Sequence, residues 1–157
     1  MDESLVAGNS DTNAWGFSPA GVESVITVAS TDRDDWMQLR SNYGAVVTLF
    51  APGVSVESTW YVAGSRCKLM ERLTFSSRND GGSKTLSGTS MAGAHVAGLV
   101  AYFLSIDRSL TPRTVTELLD RLAVQGLVTM PEAARRAGTP NKLAWNGATY
   151  VPPPPQG

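Results

Sequence analysis

The chain has 157 residues, with 13 basic against 14 acidic side chains, one His and one Cys, the scale of one small globular domain. A net charge of -1 without a long basic run offers no footprint for a phosphate backbone, and the longest apolar-leaning run, Met91 to Phe103, falls short of the ~20 residues that cross a bilayer, so neither nucleic acid nor membrane is expected as a partner. One Cys excludes an internal disulfide and, with one His, leaves a zinc site short of ligands, while an all-oxygen calcium site stays open.

The first residues show no charged start followed by an apolar stretch and a small-residue cleavage site, so no signal peptide is read in this chain. Ser4 to Ala7 has the pattern of the end of a buried strand, and Gly8-Asn9-Ser10-Asp11 that of a turn. Val22 to Ser30 and Ala45 to Phe50 are β-branched runs between turn residues and are expected as buried strands. Lys84 to Ser87 is strand-like. A helix is expected from about Ser90 to just before Asp107, and its small residues Ala94, Ala97, Gly98 and Ala101 suit a helix buried on all sides. Thr111 as N-cap and Pro112 at the first helical position open a second helix with Val115, Leu118, Leu119 and Leu122 at helical spacing, and Gly126 is expected to stop it. Pro131 to Arg136 is a short third helix whose Arg pair faces solvent. The expected division is one domain over 1–149 and a proline-rich tail over 150–157, with Pro152 to Pro155 as polyproline.

Chemistry concentrates at Gly88-Thr89-Ser90-Met91-Ala92, a serine between small residues where a loop enters a helix. There a hydroxyl lies in the positive end of the helix dipole, and small flanks let a carbonyl approach; the structural alternative is a plain N-cap. With one His in the chain, an imidazole base is either His95 or a group outside these residues. His95 follows Ser90 by five positions, which on a helix places it about 140° around the axis and out of reach of the hydroxyl.

The run Gly88 to Gly98, GTSMAGAHVAG, resembles the nucleophile motif of the subtilisin-like serine proteases, GTSMA followed by Ser or Thr and then PHVAG. Val6-Ala7-Gly8-Asn9 resembles that family's AGN segment. Phe17-Ser18-Pro19-Ala20, Val25-Ile26-Thr27-Val28, Ser41-Asn42-Tyr43-Gly44, Phe50-Ala51-Pro52-Gly53 and Gly138 to Leu143 stand in the family's order and are similar to its proteinase K-like branch. The resemblance implies an α/β fold, the C-terminal half of the subtilase fold, with a parallel sheet, a buried active-site helix and C-terminal helices.

By the same resemblance Ser90 is the nucleophile, Asn9 the oxyanion donor, Ala7 and Gly8 a wall of the specificity pocket, and Phe17 the closure of its base. The implied activity is endopeptidase hydrolysis of a polypeptide substrate by the complete enzyme, extracellular and without a cofactor. The family's Asp and His motifs precede the AGN segment and are not in this chain, and His95 matches a structural histidine of the motif. An unactivated serine is a poor nucleophile, so these residues alone are expected to be inactive. The alternative is a non-catalytic subtilase relic or partner-binding module. An α/β-hydrolase is rejected by chain order, since no His follows His95.

Three departures from the family pattern remain. Gly93 and Ala94 replace the usual Ser/Thr and Pro, and glycine inside a helix is expected to weaken it by up to ~1 kcal/mol. Thr48 stands where the branch carries a calcium-binding aspartate, so no metal is expected. Tyr61 to Arg78 interrupts the passage from Ser-Thr-Trp to the nucleophile motif, as an exposed loop or as a translated intron. In codons, Trp60-Tyr61-Val62 can be written to contain GTATGT, Leu73-Thr74 a branch point and Arg78 a terminal AG, so that excision removes 18 codons in frame.

Overall fold

The computed structural model describes residues 4–22, 24–60 and 82–148. The 61–78 segment and the 150–157 tail lie outside the described residues. The elements in chain order are β1 (Ser4–Val6), a short 3-10 helix (Ala14–Gly16), β2 (Ile26–Thr31), β3 (Leu49–Pro52), β4 (Val56–Trp60), β5 (Gly82–Leu86), α1 (Thr89–Ile106), α2 (Pro112–Leu122), β6 (Val124–Gln125), α3 (Glu132–Arg136) and β7 (Lys142–Leu143).

The main sheet has the order β1-β2-β3-β7-β6, parallel from β1 to β7, with β6 antiparallel at the edge. Every residue of β2 is buried, as a parallel strand with both faces covered requires. Alternation sorts its side chains into two cores. Ile26 and Val28, with Leu49 and Ala51 of β3, pack against Ala92, Val96, Val100 and Phe103 of α1 and Val115 and Leu119 of α2. Ala29 and Phe50 face the other way, onto Ala7, Ala14, Met37, Val47, Met130 and Ala134.

The strands start later than their β-branched runs. Val22 and Val25 lie in turns closed by bonds from Val22 N–H to the Pro19 carbonyl and from Val25 N–H to the Val22 carbonyl, so pairing begins at Ile26. Val47 N–H likewise closes a turn onto the Gly44 carbonyl at 3.0 Å, which delays β3 to Leu49.

The helices show where composition misleads. α1 begins at Thr89 with Gly88 as N-cap, so Ser90 belongs to the first turn and is not the cap. Its buried stripe is Thr89, Ala92, Gly93, Val96, Val100 and Phe103, whereas Ala94, Ala97, Gly98 and Ala101 are exposed. The helix is therefore not buried on all sides in these residues: the sheet covers one face, and nothing among the described residues covers the other. Its 18 residues, of mean hydropathy 1.4, are long and apolar enough to cross a membrane by length and composition, yet they pack on β1, β2 and β3. Gly93 does more than loosen the helix. A methyl there would come within 2.9 Å of Val6 Cγ1, so glycine lets α1 approach β1 closely.

α2 opens as expected, with Thr111 accepting from Thr114 N–H and Thr111 N–H donating back to Thr114 Oγ1 at 2.8 Å. It ends at Leu122 with Ala123 as C-cap, ahead of Gly126, which instead takes φ +74° at the exit of β6. Arg135 and Arg136 are exposed, and both pair with Glu132. The Arg136 and then the Arg135 hydrogen bonds hold the Glu132 carboxyl below its ordinary pKa.

Two features aim the loop into α1. Gly88 N–H donates to the Gly53 carbonyl at 2.7 Å and Gly53 N–H to the Thr31 carbonyl at 2.9 Å, so the loop that enters α1 hangs from the ends of β2 and β3. A methyl on Gly53 would stand 2.7 Å from the Gly88 carbonyl oxygen and clash with the buried Ser30 hydroxyl. Separately, β4 and β5 form an antiparallel ladder from Val56↔Leu86 to Trp60↔Gly82, with Lys84 Nζ 4.2 Å from the Trp60 ring centre.

Gly53→Ala is expected to cost ~1–3 kcal/mol of stability, the range for overpacking a well-filled site, as measured by denaturant unfolding. Excision of 61–78 is expected to leave the Trp60↔Gly82 register intact, because Asn79-Asp80-Gly81 then supplies a three-residue hairpin loop with glycine at its last position. The trimmed chain should unfold at a denaturant concentration no lower than the parent, and cDNA should lack those 18 codons. A lower midpoint together with message retaining the codons would mark the segment as a built part of the domain.

Candidate active site

Ser90 and Asn9, 81 positions apart, are joined through Thr89. Thr89 is fully buried; its N–H donates to Asn9 Oδ1 at 2.9 Å, and its Oγ1 accepts from Gly8 N–H at 3.3 Å. This pair of bonds stitches the loop after β1 onto the first turn of α1. It also settles the Asn9 carboxamide, because a backbone N–H can only donate and must face oxygen. The NH2 of Asn9 is thereby turned away from Thr89, with no acceptor among the described residues.

The first turn of α1 leaves one more donor open. Thr89 N–H is taken by Asn9, and Met91 and Ala92 N–H reach the Gly88 carbonyl at 3.0 and 3.5 Å. Ser90 N–H has no acceptor among the described residues. No acidic side chain lies in that first turn, so the positive end of the helix dipole is not neutralised there. Ser90 itself is exposed. The arrangement is a hydroxyl at a helix start beside two open N–H donors, suited to holding a negative oxygen near the serine.

Ala7 and Gly8 lie at the carboxyl end of β1, and their backbone is fully engaged. Ala7 N–H donates to the Val28 carbonyl at 2.9 Å, and the Ala7 and Gly8 carbonyls accept from Asn42 Nδ2 at 2.9 Å and Asn42 N–H at 2.8 Å. Gly8 adopts φ +101°, a region L side chains avoid, and a methyl there would meet Asn42 Nδ2 at 2.5 Å. Phe17 is apart from this network. It follows the 3-10 helix, is 43% exposed, and among the described residues bonds only to Ala14 and Gly21 through its backbone.

His95 does not turn toward Ser90. It is exposed, and its Nδ1 donates to the Met91 carbonyl at 2.9 Å, along its own helix. Among the described residues no group of three or more His, Cys, Asp or Glu is placed to hold a metal. Thr48 offers one neutral oxygen that already accepts from Thr27 N–H at 3.0 Å, which does not fit calcium's need for carboxylates.

Thr89, Asn42 and Gly53 escape a reading by sequence. Each stands inside a recognised motif, but their partners lie tens of residues away. Thr89 and Asn42 are completely buried polar residues, a fact that only the folded chain displays.

Comparisons with known proteins identify the family and the fold. The profile of the subtilase family (peptidase S8) matches residues 5–144. The chain is 37% identical over 153 residues to alkaline protease 2 of Aspergillus fumigatus, covering 91% of this chain and 27% of that protein. It is 38% identical over 144 residues to the cuticle-degrading serine protease of Arthrobotrys oligospora, covering 91% and 30%. Among solved structures, a cold-adapted subtilisin-like serine proteinase superposes with a TM-score of 0.75 at 41% identity, over 93% of this chain and 45% of that one. The chain thus spans less than a third of the length of these fungal relatives. On the matched family profile, the identities and the shared fold, this chain belongs to the subtilase family.

Proposed function

We propose that these residues carry the nucleophile and oxyanion half of a serine endopeptidase site. The observation that bears most weight is the Asn9 Oδ1 to Thr89 N–H bond, which keeps the Asn9 NH2 off the residue next to Ser90 and without an acceptor among the described residues. In this reading the Ser90 hydroxyl attacks a peptide carbonyl and its proton passes to a base. The carbonyl oxygen gains the negative charge and is held by Asn9 Nδ2 and Ser90 N–H, donors fixed before the reaction starts. Ala7 and Gly8 form one wall for the substrate side chain, and Phe17 caps the base of that pocket.

The base is not His95, whose ring is bonded back to its own helix. It comes, with the carboxylate that orients it, from outside these 157 residues, so they are inactive alone. Polypeptide is the substrate, and work outside the cell is consistent with a relative named for degrading cuticle. No cofactor enters the mechanism.

Two outcomes are expected. In the 157-residue chain, labelling of Ser90 by a sulfonyl fluoride and ester hydrolysis should proceed no faster than for an unactivated serine. Joined to the N-terminal half of a subtilase that supplies the His and Asp, Ser90 should label stoichiometrically. Fast labelling of the isolated chain, or label on another residue, would overturn the assignment. In the active form Asn9→Ala should lower turnover by ~10²–10³, the loss found on removing the oxyanion-donating asparagine of a related subtilisin.

A further inference from the structure

We propose that Asn42 is the positioning residue that sets the Asn9 carboxamide, acting through the loop it holds and never touching substrate. The proposal rests on the reading of Asn9 as oxyanion donor for its consequence in catalysis, and on geometry for the rest. The loop from Gly8 to Thr12 has no apolar anchor: its residues are half-buried or exposed. It also contains two residues at positive φ, Gly8 at +101° and Asp11 at +50°. A segment of that kind does not keep one conformation unaided.

Asn42, fully buried, supplies the hold. Its Nδ2 donates to the Ala7 carbonyl at 2.9 Å, and its Oδ1 accepts from Ser10 N–H at 2.9 Å and Thr12 N–H at 3.2 Å. Its own N–H donates to the Gly8 carbonyl at 2.8 Å. One side chain and one amide thus bracket Asn9 on both sides without bonding to it. Asn42 is in turn fixed to the sheet: Ser41 Oγ donates to the Asn42 carbonyl at 3.0 Å and accepts from Ser30 N–H of β2 at 3.1 Å. The order of support runs from β2 through Ser41 and Asn42 to the loop, then through Asn9 to Thr89 and the start of α1.

Hydrogen exchange on the 15N-labelled chain tests this. In Asn42→Ala the Thr89 amide, which Asn42 does not contact, should exchange at least about tenfold faster relative to the Val96 amide in mid-helix, the scale of losing one or two buried hydrogen bonds. The Asn9 side-chain NH2 resonances should shift as the hydrogen bond to its Oδ1 weakens. Asn141→Ala is the control. It removes a comparable clamp on a different loop, where Asn141 Nδ2 donates to the Val128 carbonyl at 2.7 Å and its Oδ1 accepts from Val128 N–H at 2.8 Å. It should leave the Thr89 to Val96 ratio unchanged. Asn42→Asp keeps the acceptor for Ser10 and Thr12 but sets an oxygen against the Ala7 carbonyl in place of the donor, so the ratio should rise in it as well; if Asn42→Ala does not fold, this variant decides. A Thr89 to Val96 ratio unmoved in the Asn42 variants, or moved equally by Asn141→Ala, overturns the proposal. Turnover unaffected by Asn9→Ala would instead remove the oxyanion reading and leave the exchange result standing.

Discussion

The site depends on a single directional fact, that the Thr89 backbone amide can only donate. Because it meets Asn9 Oδ1 at 2.9 Å, the orientation of the Asn9 side chain follows from main-chain geometry. An asparagine free to rotate would present oxygen or nitrogen with little preference, and a carbonyl oxygen facing a developing negative charge would repel it. The bond also ties two segments far apart in sequence, so the placement of Ser90 and the orientation of Asn9 are one structural event.

That event takes place at the carboxyl ends of parallel strands, where open α/β sheets build their sites. β1 ends at Val6 and delivers Ala7 to Asn9; β2 ends at Thr31, whose carbonyl receives Gly53 N–H; β3 ends at Pro52, one residue before Gly53 receives Gly88. The three loops leave the sheet on one edge and are cross-linked there by backbone hydrogen bonds. Close approach requires the absence of side chains at Gly8 and Gly53, and in both places a methyl would overlap a polar atom.

What the sequence makes legible is what lies in contiguous residues. Ser90, Asn9 and the motifs between them stand as short ordered words, and the Thr111-Pro112 helix start is a local signal that the structure repeats with its capping box. Strand starts were less readable, since Val22, Val25, Ala45 and Val46 have strand composition but are spent in turns whose hydrogen bonds no pattern announces. The small residues of α1 show how closely something could approach, and the structure shows a different stripe, Ala92, Val96, Val100 and Phe103, facing the sheet. Asn42 and Thr89 were hidden for the same reason: their importance is a matter of partners 30 to 81 positions away.

The outward face of α1 has its own chemistry. Ala94, Ala97, Gly98 and Ala101 offer single methyl groups or bare backbone, so each removes little apolar area from water when covered, of the order of ~0.8 kcal/mol per carbon. Such a face is nearly indifferent to grease. It rewards contour, because dispersion between atoms at contact distance falls away within an ångström of gap. A neighbour matched to this relief gains attraction from Ala94 to Ala101, and one held off by an ångström forfeits about a quarter to a half of it. These four positions therefore discriminate by shape, much as a key profile does, and the adhesive apolar area of α1 lies further along, at the exposed Tyr102 and Ile106.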